Sequence, residues 1–212
     1  MEGIKRSLLY WGKIMEQNFW RLFLGIGATI IFMSITVKEG VFEMALRYMP
    51  MLGMIVVLSQ ASSNANYYLP EAISFGATRK ENVIGMQVFT HIMVFQAMIV
   101  MMFGAKYVLG FTNLATMDWL SICVILFLIG CGAGNGVCAT FLRYGKTAGT
   151  WAYVAGVILS IFLVVGVMIA NVGNTRSFLV SYSVWGIIGA VVFDVIMTGL
   201  CSKAVQEYEV RV

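Results

Sequence analysis

Charged residues divide the chain between Trp20 and Cys201 into six long apolar stretches: Trp20 to Val37, Tyr48 to Leu69, Val83 to Ala105, Trp119 to Leu142, Ala148 to Asn171 and Phe178 to Cys201. Each has about the length that a helix needs to cross the roughly 30 Å hydrocarbon layer of a bilayer. In that layer an open chain can satisfy its backbone polar groups only as a helix. The remaining sequence leaves no room for a sizeable soluble domain. The chain has 212 residues, 60% hydrophobic and 11% charged, against about half and a quarter in a soluble domain. The expectation is therefore an all-α polytopic membrane protein. A six-helix transmembrane bundle over 20–202 would follow an amphipathic interfacial helix over 1–19 and precede a short cytoplasmic tail, 203–212.

The stretches differ in character. Arg21 stands near the start of the first, where its long stem lets the guanidinium reach the interface. The second turns polar in its later half, "SQASSNANYY", Ser59 to Tyr68. Asn64 and Asn66 there suit a helix contact or a wet cavity better than lipid. Ahead of the first stretch, Ile4, Leu8, Trp11, Met15 and Phe19 recur at steps of three and four, while Lys5, Arg6, Lys13, Glu16 and Gln17 fall largely elsewhere. This pattern predicts a helix lying in the membrane interface. A charged segment precedes the first apolar run and no A-x-A site follows, so a cleaved signal peptide is not expected.

With six crossings both termini share one side. That side collects Lys5, Arg6, Lys13, Arg21, Arg79, Lys80, Arg143, Lys146, Lys203 and Arg211, and the other holds Lys38, Arg47, Lys106 and Arg176. The excess places the termini in the cytoplasm. The net charge of +4 comes from residues scattered at the ends of apolar runs, which excludes a groove-sized basic surface for nucleic acid. Membrane lipid is the partner they suit.

The segment "SFGATRKE", Ser74 to Glu81, is the first cytoplasmic loop in this layout. Thr78 and Glu81 have the spacing of a capping box, which predicts a helix starting near Arg79. Gly76 admits backbone angles closed to other residues, and Pro70 limits the preceding helix. The loop would present Phe75, Arg79, Lys80 and Glu81 at the surface. A capped turn with two positive-inside residues also occurs where a loop does nothing further.

The octapeptide resembles the cytoplasmic-loop segment of small bacterial ABC transporter permeases of the ABC-2 class. Beyond it, the resemblance lies only in layout: an amphipathic N-terminal helix, six spans, termini inside and no attached ATPase. It implies a coupling helix that docks on a separate ATP-hydrolysing subunit, with Gly76 and Ala77 making the close turn and Phe75, Thr78, Arg79, Lys80 and Glu81 at the contact. It further implies an exporter in the bacterial plasma membrane, of an amphipathic peptide, drug or lipid, with ATP and magnesium held by the partner ATPase. The short connection "NVGNTRS", Asn171 to Ser177, departs from larger members of that family. Because one six-span chain offers little room for a path, a homodimer or a heterodimer with a similar permease is expected. Two rivals remain: a substrate-capture subunit of a vitamin importer, and a non-transporting membrane scaffold or immunity protein.

Other features point to no chemistry within the chain. "RYGKT" ends like a phosphate-binding loop, but Thr140 stands where GxxxxGK[ST] needs glycine. No Ser/His/Asp set and no HExxH motif occurs, so the chain is not expected to be an enzyme or to bind a cofactor. Cys123, Cys131, Cys138 and Cys201 form no CxxC pair and read as packing residues, so no metal site is expected. "GCGAGNG" sets Gly130, Gly132, Gly134 and Gly136 at alternate positions as two overlapping GxxxG pairs, a helix-contact pattern. Asn135 among them needs a partner on a neighbouring helix. Asp194, acidic inside the last apolar stretch, is a candidate polar site, with Arg21 or His91 as its partner.

Overall fold

The computed structural model describes residues 2–36, 49–76, 78–108, 116–172 and 176–208, with side chains over most of these ranges. They form α1 (Glu2–Thr36), α2 (Met49–Ser63), a π-helical turn (Asn64–Tyr68), α3 (Leu69–Ser74), α4 (Arg79–Val108), α5 (Thr116–Val172) and α6 (Arg176–Glu207). The all-helical expectation holds. The six-helix transmembrane bundle does not: among the described side chains only Val124–Leu163 and Val184–Glu207 are long and apolar enough to cross a membrane.

The physical reasons differ along the chain. In α4, Gln87, Thr90 and His91 interrupt the apolar run, and Gln87 and Thr90 are buried among other helices. In α2 the polar run leads into the π-helical turn, where the Leu69 N–H reaches back five residues to the Asn64 carbonyl. That wider turn immediately precedes Pro70, which sits in the first turn of α3, where a missing N–H is tolerated. Most of the first expected span, and one end of each of the others, lie where side chains are outside the described residues.

In the amphipathic N-terminal stripe Ile4 stays exposed, whereas Trp11, Met15 and Phe19 are buried against the rest of the chain. Their partner is α4: the Trp11 indole N–H donates to Asn82 Oδ1 at 3.0 Å, and Gly85 lets the helices close, since a Cβ there would fall 2.5 Å from Trp11 Cδ1. α1 continues through 19 and 20 as one helix.

α5 is broken at Gly145, whose φ of 84° and ψ of −178° are open essentially to glycine alone. A Cβ on Gly156 would lie 3.8 Å from Val137 Cγ2. On a straight helix those residues would stand about 28 Å apart, so the element folds back on itself at Gly145. α6 packs along α5 in the most extensive pairing of the fold, and α2 lies against α5 as well. The glycine alternation divides between these neighbours: Cβ atoms on Gly132 and Gly136 would meet Phe193 and Met197 of α6, and one on Gly134 would meet Val57 and Ala61 of α2.

Candidate functional site

Two groups of predicted residues acquire a definite geometry. The first is the turn after α3. The Phe75 N–H donates to the Glu71 carbonyl at 3.1 Å and the Gly76 N–H to that of Ile73 at 3.0 Å, ending α3. Gly76 has φ of 84°, which reverses the chain into α4. There Thr78 and Glu81 form the capping box: the Thr78 N–H donates to Glu81 Oε2 at 3.0 Å and the Glu81 N–H to Thr78 Oγ1 at 3.4 Å. The bond from the Thr78 N–H and the threonine hydroxyl contact hold the Glu81 carboxyl below its usual range. Ala77 lies outside the described residues.

This turn is tied to α1 from both sides. Ser7 Oγ donates to the Glu81 carbonyl at 2.8 Å. Tyr10 Oη reaches the Tyr68 carbonyl at 3.0 Å and Glu71 Oε2 at 3.2 Å. Burial and the Glu71 carboxylate push the Tyr10 phenol well above its usual value, so it remains a donor. Between these supports Phe75 is 75% exposed, and Arg79 and Lys80 are exposed beside it. The π-helical turn leads on to a cavity of about 520 Å³, whose lining includes Asn66, Arg143, Tyr144, Gly145, Lys146 and Glu207. The two glycine turns and the C-terminal end of α6 thus belong to one end of the molecule, where Arg143 pairs with Glu207 at 3.2 Å.

The second group lies deeper and joins α4, α5 and α6. His91 Nε2 is 3.1 Å from Asp194 Oδ2, and His91 Nδ1 is 2.8 Å from the Gln87 carbonyl oxygen. Gln87 Nε2 donates to Asn135 Oδ1 at 2.9 Å, Asn135 Nδ2 to Thr198 Oγ1 at 2.9 Å, and Thr198 Oγ1 approaches Asp194 Oδ1 at 3.5 Å. The chain of contacts closes on itself. Cys131 completes a trio with His91 and Asp194 whose ligand atoms lie within 4.8 Å of one another. Gln87 Oε1, buried, has no hydrogen-bond partner among the described residues.

Each helix supplies residues four apart: Gln87 and His91, Cys131 and Asn135, Asp194 and Thr198. Residues four apart share a helix face about 6 Å apart along the axis. The ring therefore has two layers, Gln87, Asn135 and Thr198 nearer the glycine turns and His91, Cys131 and Asp194 one turn deeper. The close approach of α5 and α6 at this level needs Gly132, since a Cβ there would fall 3.1 Å from Asp194 Cα.

Of the polar residues singled out in the sequence, His91, Asn135 and Asp194 meet in this ring. Arg21 is exposed on α1, and among the described residues nothing joins it to Asp194. Asn64 and Asn66 stay local: Gln60 Nε2 donates to Asn64 Oδ1 at 2.9 Å, and Asn66 Nδ2 to the Ser62 carbonyl at 2.9 Å. The sequence reading passed over Gln87 and Thr198 and took Cys131 for a packing residue, although the repeated spacing of four was there to be seen. No known family model matches the chain, and no curated protein or solved structure is detectably similar to it.

Proposed function

We propose that the chain is the membrane-embedded subunit of an ABC-type exporter of an amphipathic peptide, drug or lipid, and that a separate ATPase docks on the turn from Ser74 to Glu81. The observation that carries this reading is the buttressed exposure of Phe75, Arg79 and Lys80. A connection that only reverses the chain needs a flexible glycine; this one is capped on α4, ended by backbone hydrogen bonds on α3, and held to α1 by Ser7 and Tyr10. An exposed aromatic beside two cations on a rigid mount suits a surface that must pass a partner's movement into the helices. ATP binding by that partner would act by favouring one packing of the helices over another.

In this reading the chain crosses the membrane more than once, using α6 and the arms of α5 on either side of Gly145. The end bearing Lys5, Arg6, Arg79, Lys80, Arg143, Lys146 and Lys203 faces the cytoplasm, as the distribution of basic residues favours. A second copy or a similar subunit would complete the path. The test is recovery of the protein from its native membranes in mild detergent, with mass spectrometry of what accompanies it. A P-loop ATPase should accompany the wild type and be lost when Phe75→Ala is combined with Arg79→Ala and Lys80→Ala. Its absence from the wild type, under conditions that keep a known transporter assembled, would overturn the proposal. So would its retention by the triple variant.

A further inference from the structure

At the centre of the polar ring two acceptors face each other. The Gln87 carbonyl oxygen can only accept, so the contact at 2.8 Å commits the proton of a neutral His91 ring to Nδ1. Nε2 then presents a lone pair to Asp194 Oδ2 at 3.1 Å, and an ionised carboxylate is also an acceptor. Such a contact calls for a cation: an added proton or a metal ion. The third member of the trio distinguishes them. A thiol adds little to a proton shared between nitrogen and oxygen, whereas a thiolate is a strong ligand for transition metals. Cys131 is buried, on a different helix from either partner, with Sγ within 4.8 Å of both.

We infer that His91, Cys131 and Asp194 form a three-ligand site for a borderline divalent transition-metal ion of the zinc class. Ligand bonds of about 2.0 Å to nitrogen and oxygen and about 2.3 Å to sulfur, at tetrahedral angles, set the nitrogen and oxygen about 3.3 Å apart. The observed separation is 3.1 Å. The same geometry sets sulfur about 3.5 Å from nitrogen and oxygen, against separations of up to 4.8 Å here, so loading would draw the Cys131 side chain inward. The surroundings suit that role. The bond from Nδ1 to a backbone carbonyl is the arrangement that orients a histidine ligating through Nε2. Thr198, against Asp194 Oδ1, leaves Oδ2 as the oxygen turned to His91. One imidazole, one thiolate and one carboxylate select the zinc class over magnesium and calcium, which take oxygen ligands. Three protein ligands leave the fourth tetrahedral corner for water or another small ligand, and the His91 side chain, 34% exposed, gives an approach. A bound ion would lock α4, α5 and α6 together one turn below the Gln87 layer. The site is separate from the docking turn and does not depend on it.

The test uses the full chain purified in detergent, stripped with a chelator and titrated with cobalt(II), followed by X-ray absorption of the zinc-loaded form. The expected result is one ion per chain, with a thiolate-to-cobalt charge-transfer band. Absorption should show a single sulfur at about 2.3 Å and nitrogen or oxygen neighbours at about 2.0 Å. Cys131→Ser should abolish the charge-transfer band, and Cys138→Ser should leave it intact. No saturable binding by the folded wild type, a shell without sulfur, or a shell with two sulfurs would overturn the inference. A band that persists in Cys131→Ser would do the same. Because the wild-type spectra decide the matter alone, failure of a variant to fold leaves the test standing.

Discussion

Glu81 shows how one residue at the mouth of a helix fixes a turn. Its carboxylate accepts from the Thr78 N–H, and its own N–H donates to the Thr78 hydroxyl, so two donors that α4 would leave unpaired are satisfied. The bond from the Thr78 N–H, and after it the approach of the Thr78 hydroxyl to the carboxylate, favour the ionised form and lower its pKa. A carboxyl depressed on folding adds stability in full above its unfolded value, about 4.3, and that stability is lost as pH falls through the depressed folded value. The side-chain carbonyl resonance of Glu81, assigned with Glu81→Gln, should therefore titrate below the range of a free glutamate. Thr78→Val removes the hydroxyl but keeps the N–H that is the larger cause, so it should return the midpoint only part of the way. A midpoint at or above the free value would mean that the box is not formed in solution. This box was legible in the sequence because it is local, spanning four residues.

Among elements, the seam between α1 and α4 shows where local reading stops. The stripe of Trp11, Met15 and Phe19 was legible from its helical spacing, but apolar surface is attracted without direction, so spacing alone does not say what covers it. The covering partner is α4, and the polar bond from Trp11 to Asn82 gives the seam its register. Asn82 is fully buried and its Nδ2 has no partner among the described residues, so the indole is what satisfies its other end. Trp11→Ala should cost about 3–5 kcal/mol through the cavity it leaves, with a further penalty for the orphaned amide oxygen. Trp11→Phe fills most of the volume and leaves the oxygen unpaired, so its loss should be about 1–3 kcal/mol. Denaturant unfolding in detergent measures both; equal losses would assign the seam to the hydrogen bond alone, and no loss in Trp11→Phe would assign it to volume alone. The polar ring follows the same logic. Each of its pairs four residues apart is visible within one helix, but their convergence joins residues as far apart as 87 and 198 and depends on the packing of three helices.

At the scale of the whole molecule, α6 bears on how the chain meets a membrane. Its inward face carries Ala190, Asp194, Cys201, Ala204 and Val205, all buried. Its outward face carries Trp185, Ile188, Val192, Val195 and Ile196, all exposed, and only 17% of its most apolar stretch is buried within the chain. A helix on the surface of a soluble protein would be charged on that outward face. Apolar composition was legible in the sequence; the number of crossings was not, because a polar residue inside an apolar run is acceptable or not according to what packs against it, as Gln87 and Thr90 show. Lipid against α6 and a protein partner against α6 predict different outcomes for Val195, 64% exposed. Against lipid, Val195→Arg should disfavour insertion by about 2.5–3.5 kcal/mol near mid-membrane and lower the fraction resisting alkaline extraction, while Val195→Ala changes little. Against a second copy, Val195→Arg should instead leave insertion intact and reduce the size of the detergent-solubilised particle. If the wild type is recovered in the soluble fraction, the exposed face of α6 must be covered by protein alone, and the membrane reading falls with it.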